Sequence, residues 1–218
     1  MPTSIPNRTI AGKVLAKDLL QYRNQDSVIV LALPRGGVPV AFEIALALNA
    51  PLDLMLVRKL GTPNYPELAM GAIASGNIRV INTQIIHSYA ISEEQIEEVE
   101  RQERQELERR AIAYRGQRPY PNLQDKTVIL VDDGLATGAT MLAAIDAVRA
   151  QNPQSIVVAV PVAPPETIHE LRQKVDDVTC PLQPTRLTSI GQWYDDFSQV
   201  NDEEVIELLG LAWQNQRA

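Results

Sequence analysis

The chain has 218 residues, a formal net charge of -7, 45% hydrophobic residues, one cysteine and two histidines. This length can bury a large core without disulfide bonds, and the single cysteine excludes a disulfide framework and any cysteine-rich zinc or iron–sulfur site. The negative charge argues against a nucleic-acid partner, because a nucleic-acid binder usually carries a basic face.

Hydrophobic periodicity predicts that strands alternate with helices along the chain. In chain order, the predicted elements are a helix (10–23), a strand (27–33), a helix (38–48), a strand (52–59), a loop (61–68), two short strands (69–75 and 78–82) that form a hairpin across Gly76-Asn77, a long helix (92–114), a strand (126–133), a helix (138–151), a strand (155–162), a helix (165–174), a strand (175–180) and a last helix (202–213).

This alternation is typical of an α/β fold with a mainly parallel sheet that helices cover on both faces. We detect no internal repeat and no strong linker, so we expect residues 1–218 to form a single domain. We see no targeting signal, and the longest apolar stretches are too short to cross a bilayer. We therefore expect a cytoplasmic protein with no membrane partner.

The most informative segment is VILVDDGLATGAT, residues 128–140. A buried strand leads to two adjacent carboxylates, Asp132 and Asp133, and a short loop of small residues then opens a helix. Such a loop brings backbone N–H groups close to a phosphate, the helix N-terminus favours the anion, and Thr137 and Thr140 add hydroxyl groups. The two acids fit the binding of vicinal hydroxyls or of a ligand-chelated magnesium ion.

Residues 128–140 resemble the 5-phosphoribosyl-1-pyrophosphate (PRPP) signature of type I phosphoribosyltransferases, in the style of the adenine and orotate enzymes. The resemblance covers about residues 10–180 and implies a type I phosphoribosyltransferase fold: a Rossmann-like, mainly parallel sheet with a small hood. It implies that Asp132 and Asp133 hold the ribose hydroxyls, directly or through Mg²⁺ as a substrate-chelated cofactor. The PRPP ligands that it implies are Arg35, Gly36, Gly37, Asp132, Asp133, Ala136, Thr137, Gly138, Ala139 and Thr140.

Two further segments occupy the chain positions that the family uses for the leaving group. The segment PRGG, residues 34–37, stands where the family has its pyrophosphate loop, which often contains a non-proline cis peptide. Glycines let a backbone curl around a phosphate, and an arginine grips it with a planar fork. Arg58 and Lys59 end the next predicted strand, where basic residues of the family reach the pyrophosphate.

Residues 61–71 match the family's flexible loop, which closes over the bound substrates and keeps water from an oxocarbenium-like state. Tyr65 and Glu67 are its polar candidates for catalysis. Ala136 replaces the aspartate with which hypoxanthine-guanine enzymes handle a purine proton. Any general acid or base must therefore come from elsewhere, with Glu67 as the candidate.

The acceptor site is the least defined part of the sequence. The family covers its acceptor with a variable hood, and residues 84–118 and 190–218 are the two candidate segments here. The second segment concentrates aromatic residues, and we select Tyr194 and Phe197 as rings that could stack on a nucleobase. Both could equally anchor the tail on the core.

The resemblance implies a magnesium-dependent transferase that moves the 5-phosphoribosyl group of PRPP to a nitrogenous acceptor, with a nucleobase expected, and releases pyrophosphate. The expected partners are PRPP and a small-molecule acceptor, and the expected assembly is a homodimer. The alternative is a PRPP-binding regulatory or sensor protein without transfer activity. A sensor could dispense with a closing loop and an acceptor hood. The sequence contains candidate segments for both, which favours the transferase.

Overall fold

The computed structural model describes residues 4–215. A five-stranded sheet with the order β2-β1-β6-β7-β8 forms the centre, and every pair of neighbouring strands in it is parallel. This confirms the predicted α/β class and its mainly parallel sheet. The strands are β1 (Val28–Ala32), β2 (Leu52–Leu54), β6 (Thr127–Val131), β7 (Ser155–Ala159) and β8 (Asp177–Thr179).

Helices cover both faces of this sheet. Their ends follow local signals: Asn7 caps α1 (Arg8–Asp18) by accepting a hydrogen bond from the backbone N–H of Ile10, and Ser92 and Gln95 form a capping box at the start of α4 (Glu93–Arg115). The helices are α1 (Arg8–Asp18), α2 (Gly37–Leu48), α3 (Thr83–Ser88), α4 (Glu93–Arg115), α5 (Ala139–Arg149), α6 (Pro165–Arg172) and α7 (Asp202–Asn215).

The buried strands divide their side chains between two hydrophobic clusters. In β1, Val28 and Val30 face the cluster that α1, α2, α4 and α7 cover, whereas Ile29 and Leu31 face the cluster under α5 and α6. This period of two, with apolar residues on both faces, explains why the strand is a continuous β-branched run. The core fixes the position of the loops that leave the strand ends.

The hairpin predicted from the two short strands is part of a second, three-stranded antiparallel sheet, whose third strand was not expected from the sequence. This sheet consists of β3 (Val57–Thr62), β4 (Tyr65–Ala74) and β5 (Ile78–Ile81) in the order β3-β4-β5. The turn between β4 and β5 uses Gly76 and Asn77, both with positive φ, as predicted. The long helix α4 packs on β3, and α5 packs on the opposite side of the same strands.

Two predicted elements need correction. The strand predicted at 52–59 is two strands, β2 and β3, which lie in different sheets. The prediction missed the break because the run of apolar residues continues through the change of direction between them. The loop predicted at 61–68 is largely a hairpin, in which Thr62 pairs with Tyr65. A helix that we did not predict, α3, follows β5. None of the helices within residues 4–215 has the length and hydrophobicity needed to cross a membrane.

Candidate functional site

The PRGG loop and the acid pair lie side by side at one edge of the central sheet. Parallel pairing of β1 with β6 brings their carboxyl ends together, and the backbone N–H of Leu33 donates to the carbonyl of Val131 over 2.9 Å. The peptide bond between Pro34 and Arg35 is cis, as the family resemblance implied. Ligands of open α/β sheets bind at this edge.

The two glycines of the PRGG loop are required by close packing. A Cβ atom at Gly36 would lie 2.0 Å from Oδ2 of Asp133, and one at Gly37 would lie 2.7 Å from the carbonyl oxygen of Val131. The sequence suggested that these glycines make room for a phosphate. The structure adds that they also make room for the acid pair, so that loop and pair form one unit.

The acid pair is shielded from water on several sides. Asp133 is 8% exposed, and its backbone N–H donates to Oδ1 of Asp132 over 2.8 Å. Burial, together with the neighbouring carboxylate of Asp133, raises the pKa of Asp132 well above its usual value. The carboxylate oxygens of the pair can accept hydrogen bonds from hydroxyl groups of a ligand.

Arg8 is a residue of the candidate site that sequence reasoning missed. Its Nε donates to Oδ2 of Asp133 over 2.8 Å, and its Nη1 donates to the carbonyl of Ser198 over 2.7 Å. Its guanidinium lies 4.0 Å from the centre of the Phe197 ring. No sequence signal pointed to Arg8, because a single arginine at the start of a helix belongs to no motif. Its partner, Asp133, is evident only from the fold.

The loop after the acid pair has the shape of an anion cradle. Gly138 caps α5 with a left-handed backbone, φ +71°, and Thr137 Oγ1 accepts from the N–H of Ala139 over 3.4 Å. Thr167 of α6 donates to the carbonyl of Ala136 over 2.9 Å and so ties the loop down. Backbone N–H groups at the start of α5 are available to a phosphate.

Arg35 points towards the C-terminal helix in this structure. Its Nη1 lies 3.5 Å from Oδ1 of Asp202, which also accepts a hydrogen bond of 2.7 Å from the hydroxyl of Tyr114. Burial and the hydrogen bond to Asp202 raise the pKa of Tyr114 to about 12. A cavity of about 310 Å³ opens beside Arg35; its lining is Arg8, Arg35, Gly36, Asp133, Phe197, Gln199 and Val200.

Arg58 and Lys59 leave opposite faces of β3. Arg58 lies 2.5 Å from Glu103 of α4 and lines a small cavity with Pro34 and Thr140, so the structure brings it to both loops. Lys59 lines a cleft of about 790 Å³ between the antiparallel sheet and α5, which also reaches Ala139 at the start of that helix. The two cations approach the loops from different sides.

The hairpin carries the two residues predicted from the flexible loop. Tyr65 begins β4, is 60% exposed, and meets the ring of Tyr89 edge-on at 5.8 Å. Glu67 lies further along the same strand. Gly61 is required in this hairpin because a Cβ there would lie 2.6 Å from the carbonyl oxygen of Pro66.

The two predicted acceptor residues lie in different surroundings: Tyr194 is buried behind the acid pair, and Phe197 lines the cavity. The hydroxyl of Tyr194 donates to the carbonyl of Asp133 over 2.6 Å, and the ring is 7% exposed, so of the two roles left open by the sequence Tyr194 has that of anchoring the tail on the core. Burial raises the pKa of Tyr194. Phe197 packs on Tyr194 with ring centres 4.9 Å apart and lines the 310 Å³ cavity, so it remains the candidate acceptor residue.

The donor set offers few protein ligands to a metal. Among the described residues, no group of three or more histidine, cysteine, aspartate and glutamate side chains is arranged to hold an ion. The acid pair supplies hard carboxylate oxygens of the kind that Mg²⁺ prefers. The pair therefore fits a magnesium ion whose remaining ligands are water and substrate oxygens.

Comparisons with known proteins agree with this arrangement. The family model of the phosphoribosyl transferase domain matches residues 3–191, which is most of the chain. The chain belongs to the phosphoribosyl transferase domain family. This confirms the resemblance that the PRPP-like signature suggested.

The protein is also similar to individual family members. It is 42% identical over 206 residues to "Putative phosphoribosyl transferase MT0597" of Mycobacterium tuberculosis strain CDC 1551 / Oshkosh, covering 94% of this chain and 46% of the relative. The chain thus spans about half the length of the curated relatives it matches over most of its length. A 40-residue stretch, 18% of this chain and 22% of the relative, is 58% identical to "Bifunctional protein PyrR" of Haemophilus influenzae strain PittEE.

Two solved structures share the fold. TT1426 from Thermus thermophilus superimposes with a TM-score of 0.87 at 38% identity, covering 94% of this chain and 97% of that one. AQ2163 from Aquifex aeolicus has a TM-score of 0.52 at 14% identity, covering 84% of this chain and 78% of that one, and shows the fold alone.

Proposed function

We propose that the protein transfers the 5-phosphoribosyl group of PRPP to a nitrogenous acceptor and releases pyrophosphate. The observation that carries this proposal is the single unit formed by the PRGG loop and the acid pair, in which Gly36 packs against the carboxylate of Asp133. In this proposal the acid pair binds a diol, and it lies between two loops that bind phosphate, the PRGG loop and residues 136–140. PRPP is a sugar with a diol between two phosphate groups.

Each end of PRPP has a matching element. Asp132 and Asp133 would accept hydrogen bonds from the ribose hydroxyls, and residues 136–140 would hold the 5-phosphate with backbone N–H groups. Arg35 and the glycine backbone would hold the pyrophosphate, with Arg58 and Lys59 balancing its charge. Bound Mg²⁺ would neutralise part of the pyrophosphate charge, and the acid pair would meet it through ribose hydroxyls or water.

Catalysis would rest on positioning and on charge stabilisation of the leaving group, with inversion at the anomeric carbon. The hairpin with Tyr65 would exclude water from the reacting carbon. Glu67 would act as the general acid or base, because the alanine at position 136 has no titratable group. Phe197, in the wall of the cavity, would contact the acceptor, for which a nucleobase is our proposal.

The alternative is a PRPP-binding regulator without transfer activity. One observation favours it: both arginines of the pyrophosphate region are already engaged, Arg35 with Asp202 and Arg58 with Glu103. A transferase must release or share these contacts when the donor binds. A sensor could use their release as its signal.

A turnover assay separates the two functions. Purified protein is given Mg²⁺, PRPP and a panel of purine and pyrimidine bases, and pyrophosphate release is followed. The transferase predicts release that depends on one acceptor and disappears in the double variant Asp132→Asn/Asp133→Asn. The control Asp18→Asn alters an exposed carboxylate at the end of α1 and should react like the wild type. Saturable PRPP binding without release for any acceptor would establish the sensor instead.

Three further expectations belong to this proposal. We propose a homodimer, a cytoplasmic location, and a hood formed by parts of 84–118 and 190–218. In support, α4 packs on β3, and the tail segment brings Phe197 and Asp202 to the site. Residues 216–218 of the second segment lie outside the described residues.

A further inference from the structure

Arg8 occupies a position that its own helix does not favour. It is the first residue of α1, and no acidic residue stands in that first turn. A cation at a helix N-terminus opposes the helix dipole. The contacts that favour Arg8 must therefore come from outside α1, and those described above are made at the candidate site.

Those contacts join three separate segments of the chain. The side chain of Arg8 is 11% exposed, and so is that of Asp133, with which it pairs at 2.8 Å. The same guanidinium donates to the carbonyl of Ser198 and covers the Phe197 ring. The start of α1, the acid pair and the tail are thus tied together by one side chain.

The pair has a consequence for the geometry of the site. A hydrogen bond from the planar guanidinium to a carboxylate oxygen fixes the direction of the contact as well as its length. The 2.8 Å contact from Nε of Arg8 therefore holds one oxygen of Asp133, Oδ2, in a fixed place. Arg8 also lines the 310 Å³ cavity together with Arg35, so the pair it makes is part of the cavity wall.

We propose that Arg8 is a positioning residue, which holds the Asp133 carboxylate in the orientation that binds the sugar hydroxyls of the ligand. This inference rests on the proposed function, since it assumes that the acid pair binds a ribose diol. It assigns to Arg8 no contact with the reacting atoms. Arg8 should therefore affect the affinity for ligands that contain the sugar, and it should leave the affinity for inorganic phosphate unchanged.

The test compares two ligands on four proteins by isothermal calorimetry. The ligands are ribose 5-phosphate and inorganic phosphate, and the proteins are the wild type, Arg8→Gln, Arg8→Lys and Lys17→Gln. Lys17→Gln removes the same charge from an exposed position in the last turn of the same helix. Circular dichroism melts confirm that each variant is folded before titration.

For Arg8→Gln we expect about a tenfold loss of affinity for ribose 5-phosphate, because a charge-assisted contact to a binding carboxylate is removed. Affinity for inorganic phosphate should change less than about twofold. Arg8→Lys keeps the charge and loses the planar fork, so it should recover part of the affinity. Lys17→Gln should bind both ligands like the wild type.

Three outcomes overturn the inference. They are unchanged ribose 5-phosphate affinity in Arg8→Gln, an equal loss for both ligands, or the same loss in Lys17→Gln. If Arg8→Gln does not fold, Arg8→Lys decides: a selective loss of ribose 5-phosphate affinity supports the inference, and wild-type affinity overturns it. A wild type that binds inorganic phosphate but not ribose 5-phosphate would instead reject the proposed function itself.

Discussion

The edge of the parallel sheet and the hairpin of the antiparallel sheet both bring polar residues to the candidate site, but they hold them differently. At the edge, Asp133 is 8% exposed and is fixed by Arg8, Tyr194 and the backbone of Gly36. In the hairpin, Tyr65 is 60% exposed and has an edge-on contact with another exposed ring. The edge therefore holds its polar residues in buried contacts with several neighbours, whereas the hairpin leaves Tyr65 exposed with one ring contact.

This difference suggests a division of labour. A group that must recognise a fixed pattern of hydroxyls and phosphates benefits from side chains whose positions are set before binding. A group that must admit substrates and then exclude water benefits from exposed residues with few contacts. The following variants test whether substrate binding depends on the sheet edge and closure of the site depends on the hairpin.

The largest effect on stability is expected at the buried ion pair between α4, which packs on the antiparallel sheet, and β2 of the parallel sheet. Arg115, at the end of α4, lies 2.8 Å from Asp53 of β2, with side chains 1% and 6% exposed. Burial raises the pKa of Asp53 and lowers that of Arg115, so each charge depends on the other. We expect Arg115→Met to lower the free energy of unfolding by about 3–5 kcal/mol in urea titrations.

The control for this pair replaces both charges. Asp53→Leu/Arg115→Met removes the buried charge together with its partner, and we expect it to recover most of the lost stability. A double variant as unstable as Arg115→Met would show that the packing of these side chains, not their charge, stabilises the contact between α4 and β2.

The next effect is expected in the PRGG loop. The Cβ of Gly36→Ala would overlap the Asp133 carboxylate, so we expect a loss of about 1–3 kcal/mol in stability and a clear loss of PRPP affinity. Gly210→Ala is the matched control, because a Cβ there meets no atom within 4 Å. It should be neutral or slightly stabilising. Equal melting temperatures for the two variants would contradict the close packing of loop and acid pair.

A pH-dependent effect is expected where α4 meets α7. The pKa of Tyr114 is raised to about 12, so the folded state keeps this proton at pH values where the unfolded chain, near 10, has lost it. Tyr114 therefore stabilises the fold below about pH 10, and this contribution is lost as the pH rises to about 12. In thermal melts across this range, Tyr114→Phe should lose stability less steeply than the wild type. An identical slope would be the contrary result.

The smallest effect on stability is expected in the hairpin. Tyr65→Ala removes one exposed ring contact and should cost at most about 1 kcal/mol. PRPP affinity should stay within about twofold, whereas turnover should fall because closure is impaired. Tyr89→Ala removes the same ring contact but leaves Tyr65 in place, and it separates the role of the contact from that of Tyr65. Loss of PRPP affinity in Tyr65→Ala would assign recognition to the hairpin as well.

The sheet edge could be predicted from the sequence because its signals are local. Buried parallel strands are β-branched runs, and their ends are marked by the glycines of PRGG and of residues 134–140. The family's PRPP signature then indicated the expected role of the acid pair. The PRGG loop and the acid-pair loop were each predicted from their own segment. That β1 and β6 are neighbours in the sheet, which brings these two loops together, was not needed for either prediction.

The other parts depend on contacts between distant segments. The hairpin was predicted as a loop because Pro63, Asn64 and Pro66 are turn formers, and the pairing of Thr62 with Tyr65 across the first two of them is visible only in the fold. Arg8 reaches Asp133 across 125 positions of the sequence and belongs to no motif. The aromatic residues of the tail indicated a role at the site, but burial decided that Tyr194 supports the acid pair.

The most direct test of the division between recognition and closure is a calorimetric titration with PRPP and Mg²⁺ of three proteins: the wild type, Asp132→Asn/Asp133→Asn and Tyr65→Ala. We predict saturable binding to the wild type and to Tyr65→Ala, with affinities within about twofold of each other. We predict a loss of at least about a hundredfold in the acid-pair variant, since two charge-assisted contacts are removed. Wild-type affinity in the acid-pair variant, or no saturable binding to the wild type, would contradict this division.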